Sequence, residues 1–355
     1  MLVGKIMADL KNDIGYIFET LLLYAGHRTR KELFRFELTA NSKDEFKFYK
    51  ALSGGNDKIN ILYSVSGIKY SDSENSYICI SGVEESDFYL PDDFDFVEIN
   101  CPHFIYSASR IGLEVKSQLN RSELENNFIG QPDDNSYQGT SLSDIQSYFN
   151  DIVIIRFDKN SIYDSFNFDR LLYFILSFNK KIMALENSNL KCLYQSLFLD
   201  FDNISHSNIF ISMTCFHKKH AFLEAYRCIE WLYPIPRVHN LKRSISYGGK
   251  AIELARKCAS DLSWRRKEED SLSLLVKYAF SLDAELKETV SWSTFMKDLD
   301  EDKAATKLYA YRNQLVHQFS PEYELAINND ILEELIFFVL KLIKVLYTEY
   351  KLDLS

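Results

Sequence analysis

Tyr309-Ala310-Tyr311-Arg312-Asn313-Gln314-Leu315-Val316-His317-Gln318-Phe319 decides how the C-terminal third of this chain is read. Ala304, Leu308, Tyr311 and Leu315 fall on one stripe at helical spacing, which predicts a helix over 302–317. Ser320-Pro321 then interrupts it, because the residue before a proline is pushed out of the helical region. A longer helix is predicted over 329–350, with Leu332, Leu335, Ile336, Val339, Leu342, Ile343 and Leu346 on one face. Asp330, Glu333 and Glu334 lie early in it and Lys341 and Lys344 later, the order a helix dipole favours. Working backwards, helices are predicted over 221–232, 249–261, 265–280 and, briefly, 292–299. The first of these stops at Tyr233-Pro234-Ile235-Pro236, where two prolines withhold backbone donors. The sum is a helical bundle.

Within the opening stretch stand an arginine, an asparagine beside it and a histidine five positions on. Arginine holds phosphate through paired hydrogen bonds, and histidine is the side chain suited to moving protons near neutral pH. Held together, Arg312 and His317 point to chemistry on a phosphodiester. By the chain's composition a bare R-x4-H arises by chance roughly 0.3 times, and requiring the Asn lowers this to roughly 0.02. Five residues turn about 500° on an ideal helix, so Arg312 and His317 project about 140° apart and converge only if the helix ends near His317. A structural alternative stands beside this reading. Arg312 would cap carbonyls or pair with a carboxylate, and His317 would serve as a cation at the helix C-terminus.

The R-N-x3-H pattern before a last long helix resembles the HEPN superfamily of small helical bundles, over about the last third of the chain. The resemblance implies a metal-independent ribonuclease whose Arg and His meet at a dimer interface. Arg312 would be the phosphate clamp, His317 the acid and base, and Asn313 an orienting group. It also implies a place in prokaryotic anti-phage or toxin systems. In one toxin–antitoxin branch a Tyr stands two residues after the His and is modified by a partner enzyme. This chain has Phe319 there, without a hydroxyl, so control by that route is not expected.

Other stretches were weighed for the same chemistry. Trp264-Arg265-Arg266-Lys267 could stack a base and bind phosphates, and is taken as an RNA-binding candidate, although Glu268-Glu269-Asp270 directly after it also fits a solvated helix start. Lys242, Arg243 and Lys250 flank Gly248-Gly249, but without P-loop spacing they read as a turn and helix start. His217-Lys218-Lys219-His220 is half a metal site with no further ligand at a known spacing, so no metal and no cofactor is expected. Asp92, Asp93 and Asp95 read as a surface loop.

The N-terminal half has a different period. An amphipathic helix is predicted over 5–24 from Ile6, Leu10, Ile14, Ile17, Phe18, Leu21 and Leu22. Strands are predicted at 34–38, 58–65, 77–80, 104–106 and 151–157, with a turn at Ser53-Gly54-Gly55-Asn56-Asp57. The polar segment 121–145 predicts a loop or mobile segment. Helices follow at 167–178 and 183–198, with one more strand at 209–213. The expected fold class is therefore α+β. A mainly antiparallel N-terminal domain, 1–215, would bind or sense something, and a bundle would occupy 216–355, the boundary lying somewhere between 158 and 218.

Bulk properties agree with a folded protein of two or three domains: 355 residues, of which 46% are hydrophobic and 26% charged. The net charge of −10 disfavours general polyanion binding, but residues 221–320 hold 16 Lys and Arg against 14 Asp and Glu, a balance of about +2. No signal peptide or membrane-length apolar run is visible, and the six cysteines are scattered, as expected of free thiols in the cytoplasm. The expected function is a dimeric endoribonuclease effector acting on RNA, with a possible activating partner or ligand at the N-terminal domain. The competing expectation is a non-catalytic adaptor that dimerises and docks a partner.

Overall fold

The apolar runs around Tyr77 and Ile154 pair side by side in the computed structural model, which describes residues 2–27, 34–37, 41–62, 65–131, 136–184, 187–261, 267–292, 297, 300–316 and 329–354. The chain forms two compact units, Met1–Phe168 and Asp169–Ser355. The fold is α+β, as expected.

In the first unit, helices α1 (Leu2–Ala25) and α2 (Ser42–Ala51) precede three strands, β1 (Ser53–Leu62), β2 (Val65–Ser71) and β3 (Asn75–Ser81). After β4 (Asp95–Phe96) come α3 (Cys101–Ile111), α4 (Arg121–Leu124), α5 (Leu142–Tyr148) and β5 (Ile152–Asp158). The sheet runs β1-β2-β3-β5-β4 and every pairing is antiparallel. Ile78 opposes Ile155 and Ile80 opposes Val153, so the middle of the sheet is aliphatic and dry. Ile17, Phe18 and Leu21 of α1 and Phe104, Ile105 and Ala108 of α3 pack in one core with Ile68, Tyr70 and Cys79.

Four expectations for this half are corrected. Residues 104–106 are not a strand but the centre of α3. The Asn100 side chain accepts from the His103 amide at 3.0 Å, Pro102 sits in the first turn, and Gly112 closes the helix at φ 65°. The segment 53–57 is not a turn but the start of β1, irregular because its register shifts between Gly54 and Lys58. Gly55 (φ 77°) is required there, since a Cβ would stand 2.8 Å from Cδ of Arg110. Residues 121–129 are helical, α4 running into a π-helical turn at Glu125–Ile129 that buries Leu124, Phe128 and Ile129. The strand expected at 34–38 is reduced, among its described residues, to one bridge from Phe36 to Thr140.

The second unit holds α6 (Phe168–Leu176, from its second residue), α7 (Ser188–Asp200), α8 (His206–Thr214), α9 (Lys218–Glu230), α10 (Ile235–Ser244) and α11 (Ala251–Asp261). It continues with α12 (Glu268–Leu282), α13 (Ala284–Trp292), α14 (Glu301–Val316), α15 (Asn329–Glu349) and α16 (Lys351–Leu354). The stripe on α15 is buried as its spacing requires, and α15 packs against α9, α7, α12 and α13. Residues 209–213 are helical within α8, not a strand. The units divide at Phe168/Asp169, so the boundary expected at 215/216 moves to the earlier position; α8 packs on α9 and α7 on α15, which places 169–215 with the bundle. After α9 the prolines start α10 as well as ending α9, because a first turn needs no donor from them. The short helix expected at 292–299 lies earlier, as α13, and residues 293–296, 298 and 299 lie outside the described residues. No helix among the described residues is long and apolar enough to cross a membrane.

Candidate phosphodiester site

Arg312 and Asn313 occupy the last turn of α14, whose inner face is set by buried Ala304, Ala305 and Leu308. Two alanines on that face let α14 approach α12 and α9 closely. Arg312 thereby reaches Glu230, the last residue of α9. Its Nε and Nη2 both donate to Glu230 Oε1, at 3.1 and 2.8 Å. Nη1 donates to Asn313 Oδ1 at 3.0 Å and lies 3.9 Å from the Glu268 carboxylate in the first turn of α12. The ends of three helices thus meet at one guanidinium, which is 19% exposed.

Burial opposes the charge on Arg312, but Glu230 and Glu268 outweigh it and hold the guanidinium above its ordinary range. The nearby Tyr226 and Tyr233 hydroxyls share a buried hydrogen bond of 2.6 Å. Burial, reinforced by the Glu230 and Glu268 carboxylates, raises both phenols, so neither ionises at neutral pH. Of the two readings open for Arg312, pairing with a carboxylate describes its contacts here. A phosphate would have to take over the guanidinium edge that Glu230 now occupies, while Asn313 keeps Nη1 oriented.

His317, the proposed acid and base, lies outside the described residues, as do Phe319 and Ser320-Pro321. Trp264, Arg265 and Arg266 also lie outside them. Lys267 is described: it is exposed, precedes α12, and its carbonyl accepts from the Ser271 amide and hydroxyl. It is joined directly to Glu268, which brings it to the neighbourhood of Arg312.

Several of the remaining sequence candidates are tied into the fold. Lys242 and His239 both reach Asp353 of α16, at 3.1 and 2.7 Å. Lys218 pairs with Glu333, and the His217 and His220 rings stand 6.1 Å apart. Asp93 accepts from the Tyr163 hydroxyl at 3.0 Å and Asp95 pairs with Arg156 at 2.8 Å. Among the described residues no group of three or more His, Cys, Asp or Glu is placed to hold a metal ion.

Sequence reasoning missed Glu230 and Glu268, and it missed a cleft of about 470 Å³ that shares Glu230 with this site. Arg227, Trp231 and Arg256 line it. The one local signal was Arg227 and Trp231 four residues apart at the end of an amphipathic helix, the spacing of one face. Compared with family models, curated proteins and solved structures, the chain matches none of them. The resemblance to HEPN bundles therefore rests on the motif residues alone.

Proposed function

We propose that this chain is a cytoplasmic, metal-independent endoribonuclease of the HEPN type, working as a homodimer. The observation that supports it most is Arg312 at the convergence of α9, α12 and α14, charged, mostly shielded and oriented by Asn313. Such a guanidinium offers a pre-aimed charge for a phosphate, which is where a phosphodiester transition state needs it. His317 takes the proton from the RNA 2′-hydroxyl, whose oxygen attacks phosphorus. The 5′-oxygen leaves and receives a proton from a second His317, supplied by the other copy, since one imidazole cannot be acid and base in one step. The products are a 2′,3′-cyclic phosphate and a 5′-hydroxyl. Glu230 holds Arg312 until a phosphate displaces it, and a ligand or partner at the sheet-bearing unit would govern when RNA is admitted. The resemblance also implies an anti-phage or toxin role, which fits an RNA-cutting enzyme that must be restrained in its own cell.

The test is cleavage of labelled single-stranded RNA and tRNA in excess EDTA by wild type, Arg312→Ala and His317→Ala, with folding matched by circular dichroism. Cyclic phosphate ends lost in both variants support the reading; equal cleavage by all three sinks it. The adaptor reading draws on one observation, the engagement of Arg312 with two carboxylates. It expects Arg312→Ala to lower stability while any RNA cleavage stays unchanged.

A further inference from the structure

We propose that the cleft beside Glu230 seats one unpaired nucleotide of the RNA substrate, its base on Trp231 and its phosphate on Arg256 and Arg227. The choice of RNA rests on the ribonuclease reading; the cleft's chemistry stands on its own residues.

The cleft measures about 470 Å³, within the range of sites for small ligands. Its walls come from separate parts of the bundle: Asn208 of α8, Arg227 and Glu230 of α9, and Ile252, Ala255 and Arg256 of α11. Trp231, directly after α9, stands at its lip with 56% of its surface in water. A large indole left in water beside a concave surface is a stacking face without an occupant, and the face of any base fits it. Ile252 and Ala255 add apolar surface to the lining, which suits the rest of a base.

The charges select what is attached to that base. Arg256 is exposed and makes no ion pair among the described residues. Arg227 is steadied by Glu224 at 2.5 Å, so its guanidinium is held in place at the rim. Glu230 is the one carboxylate on the cleft wall, and Arg312 already neutralises it. Arg227 is matched by Glu224 and Glu230 by Arg312, so Arg256 leaves the cleft a net positive charge, and guanidinium forks bind phosphate oxygens in pairs. An indole face with two guanidinium groups matches an unstacked nucleotide. A base paired in a duplex could not reach Trp231, so the ligand is single-stranded. Because Glu230 borders both the cleft and Arg312, a nucleotide seated here places the adjoining part of its strand at the Arg312 site.

The experiment is fluorescence anisotropy of a labelled single-stranded RNA 12-mer with the full chain in excess EDTA, over a range of salt. Trp231→Ala should weaken binding roughly 5- to 100-fold with an unchanged salt slope, and Trp231→Phe, which keeps a ring, should restore most of it. Arg256→Ala should weaken binding and make the slope of log K against log salt shallower by about 0.7, one phosphate contact on a single strand. Lys351→Ala, an exposed charge that does not line the cleft, should bind as wild type. Trp231 and Arg256 are exposed, so folding is retained, and a thermal melt checks it. The proposal is overturned if wild type binds no RNA, if Trp231→Ala and Arg256→Ala bind as wild type, or if Lys351→Ala loses as much as Arg256→Ala. Binding that depends on Trp231 without cleavage that depends on Arg312 and His317 would keep the cleft and reject the ribonuclease. Cleavage that depends on those two residues with binding indifferent to Trp231 would do the reverse.

Discussion

Two polar clusters, one in each unit, are held in different ways. The cluster in the sheet-bearing unit is largely buried and paired internally. Asp13 accepts from the Ser109 hydroxyl at 2.7 Å and from the Tyr49 hydroxyl and Arg110 at 2.5 Å each, and Arg110 lies flat on the Tyr106 ring at 3.6 Å. His103, 2% exposed, is bonded to the Tyr70 hydroxyl at 2.9 Å, and Ser107 donates to the same hydroxyl. In the bundle, Arg312 is held by Glu230 and Asn313, while Arg256 and Trp231 stand in water. Closed networks specify a core; open ones are available to a ligand. On the proposed reading, the difference would put the chemistry in the helical unit and leave the interior polar groups of this sheet-unit cluster to its architecture.

The largest effect that would test this contrast is on stability. Asp13→Asn removes the charge that Arg110 and two hydroxyls share, and is expected to cost about 3–5 kcal/mol in urea denaturation followed by sheet-unit probes, since a buried guanidinium loses its counter-charge. A loss under about 1 kcal/mol would mean that the network is not structural. Next comes Arg312→Ala, expected to reduce cleavage roughly 100- to 1,000-fold, with a stability loss of about 1–3 kcal/mol from stranding Glu230. Glu230→Gln should keep the fold and bind RNA more tightly, because the guanidinium is freed; weaker binding would show that Glu230 positions Arg312 for its work.

Acid acts on buried groups in both units. Burial pushes His103 down from 6.5 to about 4, so it stays neutral in the folded protein while the unfolded chain takes up a proton. His103 should therefore cost the sheet unit roughly 2–3 kcal/mol as the pH falls from about 6.5 to about 4, its own contribution levelling off below that. In the bundle, burial opposes the charge on Asp353, but hydrogen bonds from Lys242 and His239 outweigh it and hold the carboxyl below its ordinary 3.8. That contribution is present above 3.8 and is lost only as the pH falls below it, and Asp353→Asn should cost about 1 kcal/mol at neutral pH. Hydrogen exchange resolved by segment between pH 7 and pH 4 is the measurement. Burial lowers His206 of the bundle as well, so the assignment to His103 is refuted if the sheet unit loses no stability between pH 7 and pH 4.

The sequence by itself determined the elements whose period is long enough to be unambiguous. The stripe on α15 and helices α9, α11 and α14 follow from spacing alone, because burying one face of a helix imposes its own repeat. Short apolar runs carry no such repeat. Phe104-Ile105-Tyr106 and Ile209–Met213 fit strand and helix equally, and what decided α3 was Asn100, Pro102 and Gly112 around it. The site divides along the same line. Arg312 and Asn313 are adjacent in the chain and legible as a motif. Glu230 stands 82 residues from Arg312, and Arg256 lies on a different helix from Arg227. Only the packing of α9, α11, α12 and α14 made them neighbours, because which helix ends converge depends on side-chain complementarity across the whole bundle, which no local pattern encodes.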